Sequence, residues 1–155
     1  MFRFKVYNNS VNNQKLNRVE RAAAELRRGN FVVLKGDDTA HLVCSAELIT
    51  DKKIVQIKEI SNKEPLIGLT YNRANILKIS PRSGDVALVT MSDHMNSGVI
   101  TSMADPGDEL MNVMRGPFIV ADVTPSKIHD AGIKLNKIAK LLPAGVFSTP
   151  LSHID

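Results

Sequence analysis

Apolar residues along this chain recur at two spacings, every second residue and every third or fourth, and the switches between them predict its elements. Phe2, Phe4 and Val6 alternate with Arg3, Lys5 and Tyr7, a short strand-like start, and the Asn-rich stretch 8–13 reads as a loop. From about Gln14 to Arg28 the spacing turns helical. Leu16, Val19, Ala23 and Leu26 form one stripe, Arg27 and Arg28 suit the negative end of the helix dipole, and Gly29 is a natural stop. Then Phe31–Lys35, a turn at Gly36-Asp37-Asp38 and about His41–Ala46 read as two neighbouring strands and their connection.

Thr50-Asp51 starts a helix with Ile54, Ile57 and Ile60 inward, ending near Ser61-Asn62. Pro65–Thr70 reads as a buried strand, Asn72–Leu77 as a short helix, residues 81–84 as a turn and Asp85–Met91 as another strand. Ser92–Gly98 is polar without a period and reads as a loop. Asp105-Pro106, with Asp108 and Glu109 behind it, predicts a helix to about Met114, followed by a strand over Pro117–Ala121. Thr124-Pro125 opens a last helix whose Ile128, Ala131, Leu135, Ile138 and Leu142 keep a 3-4-3-4 spacing until Pro143, and Ala144–Ser148 is a final strand. Interleaved helices and strands on short connections predict one α+β domain over residues 1–155, an α/β-type sandwich with a mixed sheet covered by helices.

Composition narrows the function classes. Charged residues at 23% and hydrophobic ones at 43% are ordinary for a globular domain, and no apolar run approaches the roughly 20 residues that cross a bilayer. Charge interrupts the apolar residues of the N-terminus, so it is not a signal peptide, and a lone Cys44 excludes an internal disulfide. A cytoplasmic protein is the expectation. The net charge of +4 is concentrated: residues 1–30 carry seven Lys/Arg against two Glu, and residues 127–140 four Lys against one Asp. These are solvated helix faces or basic surfaces for a phosphorylated substrate or nucleic acid. With aromatics at 5% and no Trp, a base-stacking platform is lacking and nucleic acid is the weaker option.

The residues able to do chemistry are few. Asp37 and Asp38 are either an ordinary turn or, beside His41, a site for a hard cation or for proton transfer. Ser92, Asp93 and His94 cannot form a triad, because adjacent side chains do not meet in that geometry, although His94 and Ser97 can line a loop-built pocket. His41 is expected half-buried on its strand, His129 beside Asp130 on a solvated helix start, His153 in the tail, and Cys44 in the core.

Six segments stand out when the chain is read in order: Arg18-Val-Glu-Arg-Ala-Ala-Ala-Glu-Leu-Arg-Arg-Gly29, Phe31-Val-Val-Leu with Asp37-Asp38, Leu42-Val-Cys-Ser-Ala-Glu47, Pro65-Leu-Ile-Gly-Leu-Thr70, Ser97-Gly-Val-Ile-Thr-Ser102 and, most fully, Ala131 through Val146 with its Pro-Ala-Gly-Val ending. Together they resemble 3,4-dihydroxy-2-butanone 4-phosphate synthase, a riboflavin-pathway lyase. The similarity covers about residues 16–149. It implies an enzyme that enolises ribulose 5-phosphate on Mg²⁺ and releases formate, a paired domain, and frequent fusion to GTP cyclohydrolase II.

The departures fall on the chemistry. The family's acidic loop, Asp-Asp-x-x-Arg-Glu-Asn-Glu-Gly-Asp-Leu, is cut here to Asp37-Asp38-Thr39-Ala40-His41-Leu42, with His41 at the position of the last Asp. The Gly-His-Thr-Glu-Ala motif aligns with Lys127-Ile128-His129-Asp130-Ala131, which puts His129 one residue away from the family histidine, and the late glutamate is Thr149. A threonine neither ligates as an anion nor acts as a base near neutral pH. The expectation is therefore an eroded, structural or dimerising domain of a GTP cyclohydrolase II polypeptide. The alternative is an active lyase using Asp37, Asp38, His41 and His129 as acid/base groups, Asp38 and His129 on Mg²⁺, and Ser97, Lys127 and His94 near the phosphate. A nucleotide- or RNA-binding module is a third, weaker reading.

Overall fold

The computed structural model describes residues 2–81, 84–107 and 117–152, with side chains from residue 13 onward. Among the described residues ten elements follow in chain order: α1 (Phe2–Arg27), β1 (Val32–Lys35), β2 (Ala40–Ser45), α2 (Asp51–Ser61), β3 (Leu66–Thr70), α3 (Tyr71–Ile76), β4 (Val86–Thr90), α4 (Ser97–Ala104), α5 (Lys127–Ile138) and β5 (Ala144–Phe147). The strands form one sheet in the order β1-β2-β5-β3-β4. The expected α+β class holds, but each strand pairing is antiparallel where a mixed sheet was predicted. β5 inserts between β2 and β3, so the last strand of the chain joins the hairpin β1–β2 to the pair β3–β4.

Period-two alternation divides the strand side chains between two helical layers. On one face Leu42, Cys44, Ile67, Leu69, Ala87, Val89 and Val146 pack with Ile54 and Ile57 of α2, Ala74 of α3, and Ile100 and Met103 of α4. On the other, Val43, Leu66, Leu88 and Phe147 meet Ile133 of α5, and the end of α1 docks Ala23 and Leu26 against Leu135 and Ala139. The centre of this second face is the Phe147 ring. Side-chain-free positions surround it, since a Cβ on Gly68 or Gly132 would come within 2.6 or 2.5 Å of the ring.

Several predicted boundaries change. The N-terminal strand and Asn-rich loop are instead part of α1. Extending an existing helix adds one hydrogen bond per residue, without the nucleation cost that a separate short strand would have to recover from tertiary contacts. The expected strand over Pro117–Ala121 is reduced among the described residues to one bridge, Val120 to Val89, flanked by hydrogen bonds Thr90 N–H to Ile119 (2.8 Å) and Ala121 N–H to Leu88 (2.8 Å). The predicted helix to Met114 lies largely outside the described residues. The last helix starts one residue beyond Pro125, at N-cap Ser126, and stops at Ala139 rather than running to Leu142, with Lys140 in the left-handed region at φ 60°.

α4 was not predicted. Its signal was present: Asn96 caps it through Oδ1 on the Val99 N–H at 3.0 Å, and Val99, Ile100, Met103 and Ala104 follow at helical spacing.

Candidate functional site

The β1–β2 hairpin and α5 bring two of the candidate residues together. The hairpin closes with the Gly36 N–H on the Thr39 carbonyl at 2.7 Å, and a Cβ on Gly36 would lie 2.9 Å from Ile128 Cδ1, so this turn sits against the first turn of α5. His41, second residue of β2, and His129, third of α5, are both buried, and their rings meet edge to face with centroids 5.2 Å apart. His129 makes a second edge contact with Phe147 at 5.1 Å. Neither histidine is half-buried or solvated as expected, because α5 lays its first turn directly on the sheet.

Hydrogen bonds fix the ring tautomers. His41 Nδ1 lies 2.8 Å from the Ser148 carbonyl, which only accepts, so Nδ1 carries the proton. His129 Nδ1 accepts the Ser126 backbone N–H at 3.0 Å, with the Ser126 hydroxyl at 3.1 Å. That nitrogen is therefore unprotonated, and the neutral ring holds its proton on Nε2, a buried atom with no hydrogen-bond partner among the described residues. Burial, reinforced by the neighbouring His41, pulls the His129 pKa from 6.5 down to about 4. Geometry points the same way, since a proton on Nδ1 would face the Ser126 N–H. His129 is neutral at physiological pH.

Ser148 locks the strand that carries His41. Its Oγ accepts the Leu42 N–H at 2.8 Å and donates to the Thr149 carbonyl at 2.8 Å, while its own N–H reaches the Leu42 carbonyl at 2.9 Å. Thr149 has a buried Oγ1 without a partner among the described residues.

The other candidates stand outside this ring pair. Asp37 and Asp38 are exposed on the hairpin turn, and no hydrogen bond or ion pair among the described residues joins them to either histidine. Asp130 pairs with Lys134 at 3.4 Å, on the solvent side of α5. Lys127 is exposed at the first position of α5, and His94 is exposed in the loop before α4. Ser97 is the first residue of α4, where its N–H donates to Asp51 Oδ1 at 2.9 Å. This bond holds the Asp51 carboxyl below the usual aspartate range. The Ser97 N–H is thus held by a carboxylate. Cys44 is buried with its thiol pushed up to about 12 by desolvation, a core residue as predicted.

These donors do not fit Mg²⁺. A hard cation takes several oxygen ligands, and among the described residues no three His, Cys, Asp or Glu converge. His129 offers an N–H where a ligand needs a lone pair.

Sheet order and helix layers can be compared with those of known structures. Over 85% of its length the chain superimposes on 79% of a 3,4-dihydroxy-2-butanone 4-phosphate synthase from Candida albicans, with TM-score 0.62 and 22% identity. Its fold is that of 3,4-dihydroxy-2-butanone 4-phosphate synthase. A two-domain synthase from A. baumannii matches at TM-score 0.67 and 15% identity over 86% of this chain and 47% of that one. A synthase in complex with two magnesium ions matches at TM-score 0.64 and 20% identity over 86% and 74%. In sequence the chain is 24% identical over 136 residues to GTP cyclohydrolase-2 of Azospirillum brasilense, which spans 87% of this chain and 35% of that protein. The chain therefore spans about a third of the length of the curated relative it matches. No protein-family profile matches it. The synthase fold read from serial motifs is borne out.

Sequence reasoning missed Ser126, Ser148 and Phe147 as the groups that hold the histidine pair. Ser126 carried a usable signal, since a serine three residues before His129 has the spacing of a reciprocal helix cap.

Proposed function

We propose that the chain is a riboflavin-pathway domain that keeps the synthase scaffold without its chemistry and acts as a structural, dimerising part of a GTP cyclohydrolase II polypeptide. The observation that carries this reading is the state of His129. Its Nδ1 serves as a helix cap for Ser126, its ring packs on His41 and Phe147, and burial keeps it neutral. A side chain used this way is a packing and capping group. The partial-length likeness to the Azospirillum protein, and a two-domain solved neighbour, support a place in a longer polypeptide.

The rival reading is an active lyase on ribulose 5-phosphate, favoured by the solved neighbour that holds two magnesium ions. It requires Asp37, Asp38 and His129 to act as one ligand set, whereas among the described residues no three His, Cys, Asp or Glu are grouped to hold a metal ion. Incubation with ribulose 5-phosphate and Mg²⁺, with formate followed by a coupled dehydrogenase, separates the two. The expected result is no formate above a denatured control. Formate rising in proportion to protein overturns the proposal.

A further inference from the structure

The candidate histidine pair leaves one surface of the molecule unexplained. β1 is the edge of the sheet, paired only with β2 among the described residues. Along it runs a groove of about 560 Å³ between β1 and α1, lined by Arg18, Arg21, Glu25, Arg28, Val32 and Val33 among others. The four charged residues sit at 3-4-3 spacing, so they form one stripe of the helix. Glu25 is already satisfied: Arg28 reaches one of its carboxylate oxygens at 2.6 Å and Asn30 the other at 2.7 Å. No ion pair among the described residues involves Arg18 or Arg21. The groove is therefore positive, and its open side is an edge strand.

Apolar residues border it too. Val32 and Val33 line it, and Val33 is 45% exposed.

We propose that this groove receives an extended acidic peptide segment, added as a further strand beside β1. An incoming strand would satisfy the outward N–H and C=O groups of β1. Its alternate side chains would point to opposite faces, acidic ones toward the Arg18 and Arg21 guanidiniums on the α1 side and apolar ones toward Val33. Charge alone would also attract RNA, but no aromatic ring among the described side chains lines the groove for bases to stack on. The opposing explanation is that the arginines only guard the edge against pairing.

The test is fluorescence anisotropy of the protein with a labelled peptide of alternating Glu and Val, long enough to span β1. Saturable binding is expected, weakened about 10-fold or more in Arg18→Glu/Arg21→Glu, and weakened likewise when alternate peptide nitrogens are methylated. Both arginines are exposed, and unchanged thermal unfolding of the variant would exclude a folding defect. Absence of saturable binding means that the arginines only guard the edge, and overturns the proposal. So does equal binding of the methylated peptide or of oligouridylate, which would reduce the groove to charge. Sedimentation completes the test: if the same variant dissociates a dimer of the peptide-free protein, the groove is a self-interface and the proposal falls.

Discussion

His41 and His129 meet edge to face at 5.2 Å, and each ring has its Nδ1 committed to a different part of the chain, Ser148 for one and Ser126 for the other. The pair thus ties β2, β5 and the start of α5 into one unit.

The depressed His129 pKa makes that joint sensitive to acid. The unfolded chain binds a proton on this ring near pH 6.5, while the folded chain resists it down to about 4. The contribution to stability is complete above pH 6.5 and is lost as pH falls toward 4. A shift of this size corresponds to at most about 3 kcal/mol. Urea unfolding at pH 7.5 and 4.5 should show a larger loss for the natural chain than for His129→Leu. Equal losses would mean that His129 does not stay neutral in the fold.

Gly132→Ala should destabilise, against helix propensity. In an exposed helix this change gains about 1 kcal/mol. Here the new Cβ would lie 2.5 Å from Phe147 Cε1, and the Gly68 backbone lies close to the other edge of the ring, where an added Cβ would be 2.6 Å from Cε2. Overpacking of this kind costs about 1–3 kcal/mol. Thermal unfolding should show a lowered midpoint that Phe147→Leu, combined with Gly132→Ala, partly recovers.

Arg73 is buried, yet it is wired to the end of α4. Its Nε donates to the Met103 carbonyl at 2.7 Å, and Nη2 to those of Ser102 and Asp105 at 3.2 and 3.1 Å. These carbonyls belong to the helix end that lacks intrahelical partners. Arg73→Ala should cost about 2–4 kcal/mol in chemical denaturation. Arg73→Lys should recover little, because a point charge does not reproduce the planar fork. A neutral outcome for either would show that other groups satisfy α4.

Asp51 serves two helices, as first residue of α2 and as acceptor for the Ser97 N–H at the start of α4. Its carboxyl should titrate below the ordinary aspartate range in a carbon-detected NMR titration, and the Ser97 amide shift should follow the same transition. The stability it adds is present above the unfolded aspartate pKa and is lost as pH falls through the folded one. Ser97 amide shifts that ignore the Asp51 titration would place that N–H elsewhere.

Much of the scaffold could be read directly from local signals. Thr50 accepts the Lys53 N–H as a helix cap, Ile54 and Ile57 point inward, and Val32 to Lys35 pair with Val43 to Ala40 around a Gly-Asp-Asp turn. Each follows from residues within one or two turns of each other, which is the range over which capping, periodicity and turn chemistry act. The sequence by itself also determined that only Thr39 and Ala40 separate Asp37-Asp38 from His41, and that a threonine stands at position 149.

Only the tertiary structure decided what the remaining polar groups do. His41 and Ser148 are 107 residues apart, and Ser97 and Asp51 are 46 apart. Neither spacing nor composition reports a contact across such separations. It is β5, inserted between β2 and β3, that carries Ser148 to His41, and α5, lying across the same strands, that buries His129. Burial and hydrogen-bond direction then set protonation, because a ring nitrogen that receives a backbone N–H cannot hold its own proton. The chain supplied the histidines, and the packing of α5 on β5 buried them against each other.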